Sequence, residues 1–159
     1  IYEAATNEFT PRGNENSVVN TATVTGAGLA NPVTATESVS PVAAPDLSIT
    51  KSVNPGVVAE NGQLTYTFII ENYGNTEASA ADNVVITDTF NPILTGISVS
   101  YNGMAWAEPA NYTYNETNGS FATVAGQITV PAATFTQDAV TGIITTTPGT
   151  ATVTVTGTI

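Results

Sequence analysis

The chain has no cysteine and no histidine, and its 159 residues include two bases, Arg12 and Lys51, against thirteen acids. Without thiolate or imidazole there is no nitrogen or sulfur ligand for zinc, no Ser-His-Asp relay and no cysteine nucleophile, so no metal and no cofactor is expected. Disulfides are excluded as well, and an extracellular chain of this kind needs some other covalent brace. The net charge of −11 argues against nucleic acid and anionic membranes as partners. No apolar run approaches the roughly 18 residues of a membrane span, so membrane insertion is not expected. No basic-then-apolar leader opens the chain, and a start at Ile1 rather than Met suggests a processed or excised segment.

What is present points to a folded all-β chain with a single core. Apolar residues make up 42% and charged residues 9%, the reverse of a disordered composition. Threonine, 29 residues in all, falls in period-two stretches such as Thr21–Thr25, Thr65–Phe68 and Ala151–Thr156, and β-branched alternation means strands. Turn signals separate them at Asn54-Pro55-Gly56, Asn61-Gly62, Tyr73-Gly74-Asn75, Asn91-Pro92, Asn118-Gly119 and Pro148-Gly149. Strands are predicted near 47–53, 63–71, 83–90, 96–101, 120–124, 127–130, 133–136, 142–147 and 150–158. Short strands so spaced predict an immunoglobulin-like β-sandwich over 46–159. Residues 1–45 read as an N-terminal arm: 17–25 as a strand, 26–45 as an extended linker. A lone strand must complete a sheet, in its own domain or in another subunit.

Alternation also places polar groups on apolar faces. Lys51 shares its face with Leu47, Ile49 and Val53, and Asp88 shares one with Val84, Ile86 and Phe90. Asn20 shares one with Val18, Ala22 and Val24, and Asn72 follows Leu64, Tyr66, Phe68 and Ile70. A lysine on an inward face demands a partner, because breaking a buried ion pair costs about 3–5 kcal/mol. One reading is a Lys51–Asp88 ion pair, or a lysine that snorkels to solvent. The other is a reaction. An apolar core favours the neutral forms of an amine and a carboxylic acid. The neutral Lys51 amine would attack the Asn20 carboxamide, Asp88 would shuttle the proton, and ammonia would leave behind an isopeptide bond. Proximity supplied by folding contributes about 7–11 kcal/mol in well-oriented systems. Asn72 is the alternative acceptor. Such a bond forms once, so the chain is not expected to be an enzyme.

The runs Asp46-Leu-Ser-Ile-Thr-Lys51-Ser-Val-Asn-Pro55, Leu64-Thr-Tyr-Thr-Phe-Ile-Ile-Glu-Asn72 and Asn83-Val-Val-Ile-Thr-Asp88-Thr-Phe90 resemble the DUF-eleven conserved-repeat domain of bacterial and archaeal surface proteins. The resemblance covers about 46–95. It implies an immunoglobulin-like module similar to the isopeptide-forming domains of pilins and adhesins, with lysine on the first strand, asparagine on the last and an acid between. Family repeats end on an Asn-Thr-Ala-Thr-Val-Thr-like strand, whereas here that strand stands at Asn20–Thr25, ahead of the domain. Residues 1–25 are then either the tail of a preceding repeat or a donor strand, Val18, Val19, Asn20, Ala22 and Val24 among its residues, that enters a neighbouring copy.

Three Asn-X-Ser/Thr sequons at Asn111, Asn115 and Asn118 are candidate glycosylation acceptors. Asp82, Asp88 and Glu71 lack EF-hand spacing and read as a solvated face rather than a calcium site. Trp106 with Tyr101, Tyr112 and Tyr114 reads as core and loop packing ahead of a carbohydrate shelf or an intersubunit contact. The expectation is a structural subunit of an extracellular fibre at a cell or spore surface, its partners further copies of itself in a head-to-tail polymer. The alternative is an adhesive or ligand-binding repeat module of a long cell-wall protein.

Overall fold

A computed structural model describes residues 2–3, 8–9, 18–39 and 43–159. Its strands are β1 (Tyr2–Glu3), β2 (Glu8–Phe9), β3 (Val18–Val24), β4 (Val33–Val39), β5 (Leu47–Asn54), β6 (Gln63–Asn72), β7 (Thr87–Thr89), β8 (Thr95–Tyr101), β9 (Met104–Trp106), β10 (Tyr112–Asn115), β11 (Ser120–Thr123), β12 (Thr134–Gln137), β13 (Ile144–Thr147) and β14 (Gly149–Thr158). One 3-10 turn, Ala80–Asp82, interrupts them, and no helix of the described residues is long and apolar enough to cross a membrane. The protein is all-β, built from several antiparallel sheets, consistent with a β-sandwich.

A five-stranded sheet in the order β5-β6-β14-β8-β9 lies across the core from a three-stranded sheet in the order β10-β11-β7. Alternation decides which side chains meet there. Leu64, Tyr66, Phe68 and Ile70 of β6 and Ala151, Val153 and Val155 of β14 point inward, against Ile86, Phe90, Leu94, Tyr112 and Phe121. Phe90 is the hub, with ring centroids 4.9 Å from Tyr66 and 5.6 Å from Phe121. The Thr residues of β14 alternate with these on the outer face, where Thr154 meets Ser100 at 2.7 Å and Thr156 meets Thr65 at 3.0 Å. A further sheet, β1-β2-β12-β13, joins the start of the chain to the β12–β13 hairpin, with Glu8 opposite Thr136.

Asn72 ties one end of the sandwich together. It is fully buried, and its Oδ1 accepts from the backbone N–H of Asp46 and of Gly74, both at 2.9 Å. Its Nδ2 donates to the carbonyls of Thr76 at 2.8 Å and Pro131 at 3.0 Å. Opposite Asn72 stands Gly149, where any Cβ would lie 1.9 Å from the Pro131 carbonyl oxygen, so the corner admits only glycine.

Several expected boundaries need correction. Residues 26–45 are no extended linker: 33–39 form β4, antiparallel to β3 with Val24 opposite Val33 and Asn20 opposite Glu37. Residue 17 and residues 40–42 lie outside the described residues. The strand expected at 83–90 is paired only over 87–89. The strand expected at 127–130 is reduced to one bridge, Val130 to Ala78. Strands β9 and β10 were not expected at all.

Replacing Asn72 with leucine orphans the part-buried N–H groups of Asp46 and Gly74 and removes the donor to the carbonyls of Thr76 and Pro131. The expected loss is roughly 3–5 kcal/mol in urea unfolding. Thr21→Ala on the exposed β3–β4 hairpin should change the same midpoint by no more than about 0.5 kcal/mol.

Candidate functional site: an open groove ending on a lysine–aspartate pair

Among the described residues strand β5 is the edge of its sheet, paired with β6 alone, and every residue along it is exposed. Its alternation nevertheless carries Leu47, Ile49 and Val53 on one face, and Ile49 is 54% exposed. An apolar face on a soluble edge strand is normally covered. Across the gap run residues 83–86, which join no strand ladder, followed by β7, whose one neighbour among the described residues is β11. Between these two edges lies a groove of about 150 Å³ lined by Leu47, Ile49, Ile70, Val84, Val85 and Ile86.

Lys51 and Asp88 stand together at one end of this groove. The register of β5 places Lys51 opposite Phe68, and its side chain turns in over the aromatic hub. The Nζ atom lies 4.7 Å from the Tyr66 ring centroid, 5.4 Å from Phe90 and 5.5 Å from Phe68. Its ammonium donates to Asp88 Oδ2, while Asp88 Oδ1 accepts from the backbone N–H of Thr89 at 2.8 Å. β7 carries Asp88 opposite Phe121 of β11, which fixes the carboxylate against the core rim.

The inward direction of Lys51 and its partner are therefore as the alternation implies, but the interior is not dry. The Lys51 side chain is 40% exposed and that of Asp88 18%. The physical reason is the missing neighbour of β5, since a side chain on an uncovered edge keeps contact with water even when its tip reaches the rings. An exposed ion pair of this kind contributes little, about 0–1 kcal/mol, and ring contacts add about 0.5–1 kcal/mol.

The two candidate acceptors are placed differently. Asn72 lies opposite Leu47, two turns of the pleat along β5 from Lys51, and both ends of its amide are occupied. The structure does not bring it to Lys51; it is a corner residue. Asn20 sits on the β3–β4 hairpin, a sheet of two strands, and it is exposed, as are Ala22 and Val24. The expectation that this face points into a core is corrected: it points into solvent, because among the described residues the hairpin packs under no second sheet. Of Val18 and Val19 only the strand pairing is described.

The remaining candidates resolve locally. Asn111 donates from Nδ2 to Gln127 at 2.8 Å and accepts from the Ala107 N–H at 3.0 Å, which leaves its amide engaged. Asn115 and Asn118 are exposed in the β10–β11 turn, their Oδ1 atoms held by Thr117 and Ser120. Asp82 accepts from Ser79 N and Oγ, and Glu71 accepts from Tyr73, so these acids do not converge with Asp88. Asp138 lies elsewhere again: the N–H and hydroxyl of Thr141 and the N–H of Val140 hold its carboxyl below the usual range. The aromatics pack rather than form a shelf. Trp106 stacks on Tyr101 at 4.9 Å, Tyr112 is buried on Phe121, and the Tyr114 hydroxyl donates to the Leu94 carbonyl. Burial, and after it the Glu108 carboxylate, raises the Tyr112 hydroxyl above its ordinary value.

If the groove is open in the isolated chain, Ile49→Ala should cost less than about 1 kcal/mol, because the side chain already meets water. Phe90→Ala at the hub should cost about 3–5 kcal/mol in the same denaturant titration. A core-sized loss at Ile49 would show that something covers it. Among known proteins no family model, no curated protein and no solved structure matches the chain, so its function is read from its own geometry.

Proposed function

We propose that the chain is the structural subunit of an extracellular fibre, pilus-like or on a spore surface. In this reading, donor strands join immunoglobulin-like sandwiches of the DUF-eleven type head to tail, and Lys51–Asn20 isopeptide bonds lock them. One observation carries it: an edge strand whose apolar face lies open beside a groove, with the lone lysine of 46–159 and an aspartate at its end, in a chain that holds an asparagine-bearing strand outside its core. Strand addition covers the open apolar face, and entry into a second copy repeats without closure.

The openness of the groove supplies the timing. In the free subunit Lys51 and Asp88 form a partly solvated ion pair, and an ammonium is no nucleophile. An incoming strand excludes water, and the proton passes from Nζ to the Asp88 carboxylate. Nζ then attacks Cγ of Asn20, forming the new C–N bond. The Asp88 carboxyl protonates the departing Nδ2, Cγ–Nδ2 breaks, ammonia leaves, and the proton lost from Nζ returns to Asp88. Each bond joins two chains and releases one ammonia.

Two half-active chains test this. Lys51→Ala retains the donor asparagine and Asn20→Ala retains the acceptor lysine, so neither forms an SDS-resistant species alone. Mixing them is expected to give one covalent dimer, lighter by one ammonia than the two chains together, with the crosslink mapping to Lys51 and Asn20. Asp88→Ala in the acceptor should slow its formation at least about 100-fold. A wild-type chain that stays monomeric after losing one ammonia would place the strand in its own sandwich and overturn the polymer.

A further inference from the structure

The two sheets that enclose the core are unequal: five strands face three, and the deficit lies on the β7 side, where the groove opens. The chain also holds a two-stranded sheet that covers nothing, β3–β4, in which β3 is bonded to β4 along one edge and has no partner along the other among the described residues. A two-stranded hairpin is marginal by itself, and adding its free edge to a larger sheet is the usual remedy. Two strands are missing and two are available.

Direction and register follow from the groove. Descending from the Lys51–Asp88 pair, β5 presents Ile49 then Leu47, and the opposite edge presents Ile86 then Val84; all four line the groove. A strand whose Asn20 lies level with the pair can run either way. Antiparallel to 84–88, it sets Ala22 beside Ile86 and Val24 beside Val84, so that apolar side chains fill the groove. Parallel, it would bring Val18 and then Asn16, a second amide, to the same places. The apolar lining selects the antiparallel course, since an amide there would be buried without a partner.

Charge selects the same segment. The chain carries −11, so two copies repel, and an entering segment must add little negative charge to the groove. Residues 18–39 contain a single charged side chain, Glu37. It lies opposite Asn20 in the hairpin register, on the face that would meet Lys51, the one base of the receiving sandwich. On approach the hairpin's lone carboxylate is thus drawn toward the acceptor's lone ammonium, before proton transfer and the crosslink consume that charge.

We infer that the occupant of the groove is the intact β3–β4 hairpin of a second copy. It adds through the free edge of β3, antiparallel to residues 84–88 with Asn20 opposite Asp88, and extends the smaller sheet to the order β10-β11-β7-β3-β4. The inference rests on the fibre reading above and sharpens it, because β3 enters without giving up the hydrogen bonds it already makes to β4.

The absence of native cysteine permits a direct test. Thr21 and Thr36 are directly paired on the hairpin, are exposed, and their hydroxyls meet at 3.1 Å. A donor chain carrying Lys51→Ala, Thr21→Cys and Thr36→Cys is locked as a hairpin when oxidised and released when reduced. Mixed with the Asn20→Ala acceptor, it is expected to give the covalent dimer equally in both states. A dimer that forms only in reductant would mean that the hairpin must open, overturning whole-hairpin entry while the fibre reading stands. If the unsubstituted half-active pair gives no dimer either, the fibre reading fails and this inference falls with it.

Register is read separately in two chains that both carry Lys51→Ala, so that a disulfide is their one covalent link. Thr23→Cys on one and Val85→Cys on the other, both at exposed positions, are expected to crosslink on oxidation. Preferential crosslinking of Val85→Cys to Ser17→Cys would establish the parallel course and overturn the register.

Discussion

A strand with a single neighbour offers a row of N–H and C=O groups that water alone can satisfy, and β5 adds to this an apolar face that no other described residue covers. Nearly every feature of the site descends from that condition. Because β5 is an edge, Lys51 reaches over three aromatic rings and still touches solvent. Because residues 83–86 face the same gap, Asp88 meets the lysine at the rim and not at the centre. The groove and the ion pair are one feature: two sheet edges held apart by a fixed hydrophobic hub and not joined by a strand of the sandwich itself.

The other end of the sandwich is closed. Asn72 bonds both to the entry of β5 and to the loop before β12, and Gly149 admits the Pro131 carbonyl at a distance no side chain would allow. This asymmetry fits the proposed assembly. The pinned corner holds β5 in register with β6 while its outer edge stays free, so an incoming strand meets a surface that is already organised and little conformational entropy is lost on the receiving side.

How much of this was legible in the sequence differs from residue to residue. The Thr/Val alternation of 149–158 and the Leu-Tyr-Phe-Ile-Asn face of 63–72 told of strands within one or two residues, because both lie inside a sheet where periodicity is enforced on two sides. The stretch 83–86 carries the same alternation and yet forms no ladder: Ile86 bonds to Thr123 through its carbonyl and its N–H, but no run of paired residues extends from there; period two records a preference, not a neighbour. Lys51 and Asp88 could be paired from their faces, but alternation says nothing about whether a strand is central or an edge, and so it could not tell a dry amine from a half-wet one. The hairpin was half seen. Val33-Thr-Ala-Thr-Glu-Ser-Val39 alternates as cleanly as β3, and the turn at Gly26–Gly28 was available to join them; the Ala, Pro, Gly, Val and Thr content of 26–45 and its low charge made it read as linker. Asn72 misled for a related reason. An amide at the end of an apolar face has the same pattern whether it awaits a nucleophile or bonds a corner, and only its partners tell the two apart.

The order of the parts along the chain has a mechanical corollary. Asn20 and Lys51 are separated by the hairpin and a short connection, while all of β6 to β14 follows Lys51. In the proposed fibre, tension entering a subunit through its lysine leaves through its own asparagine, so the covalent load path runs through residues 20–51 alone. The sandwich beyond residue 51 hangs beside that path as a pendant. It could soften, vary or carry a different outer surface without lengthening the filament, and tensile strength would be set by a stretch amounting to a small fraction of each subunit.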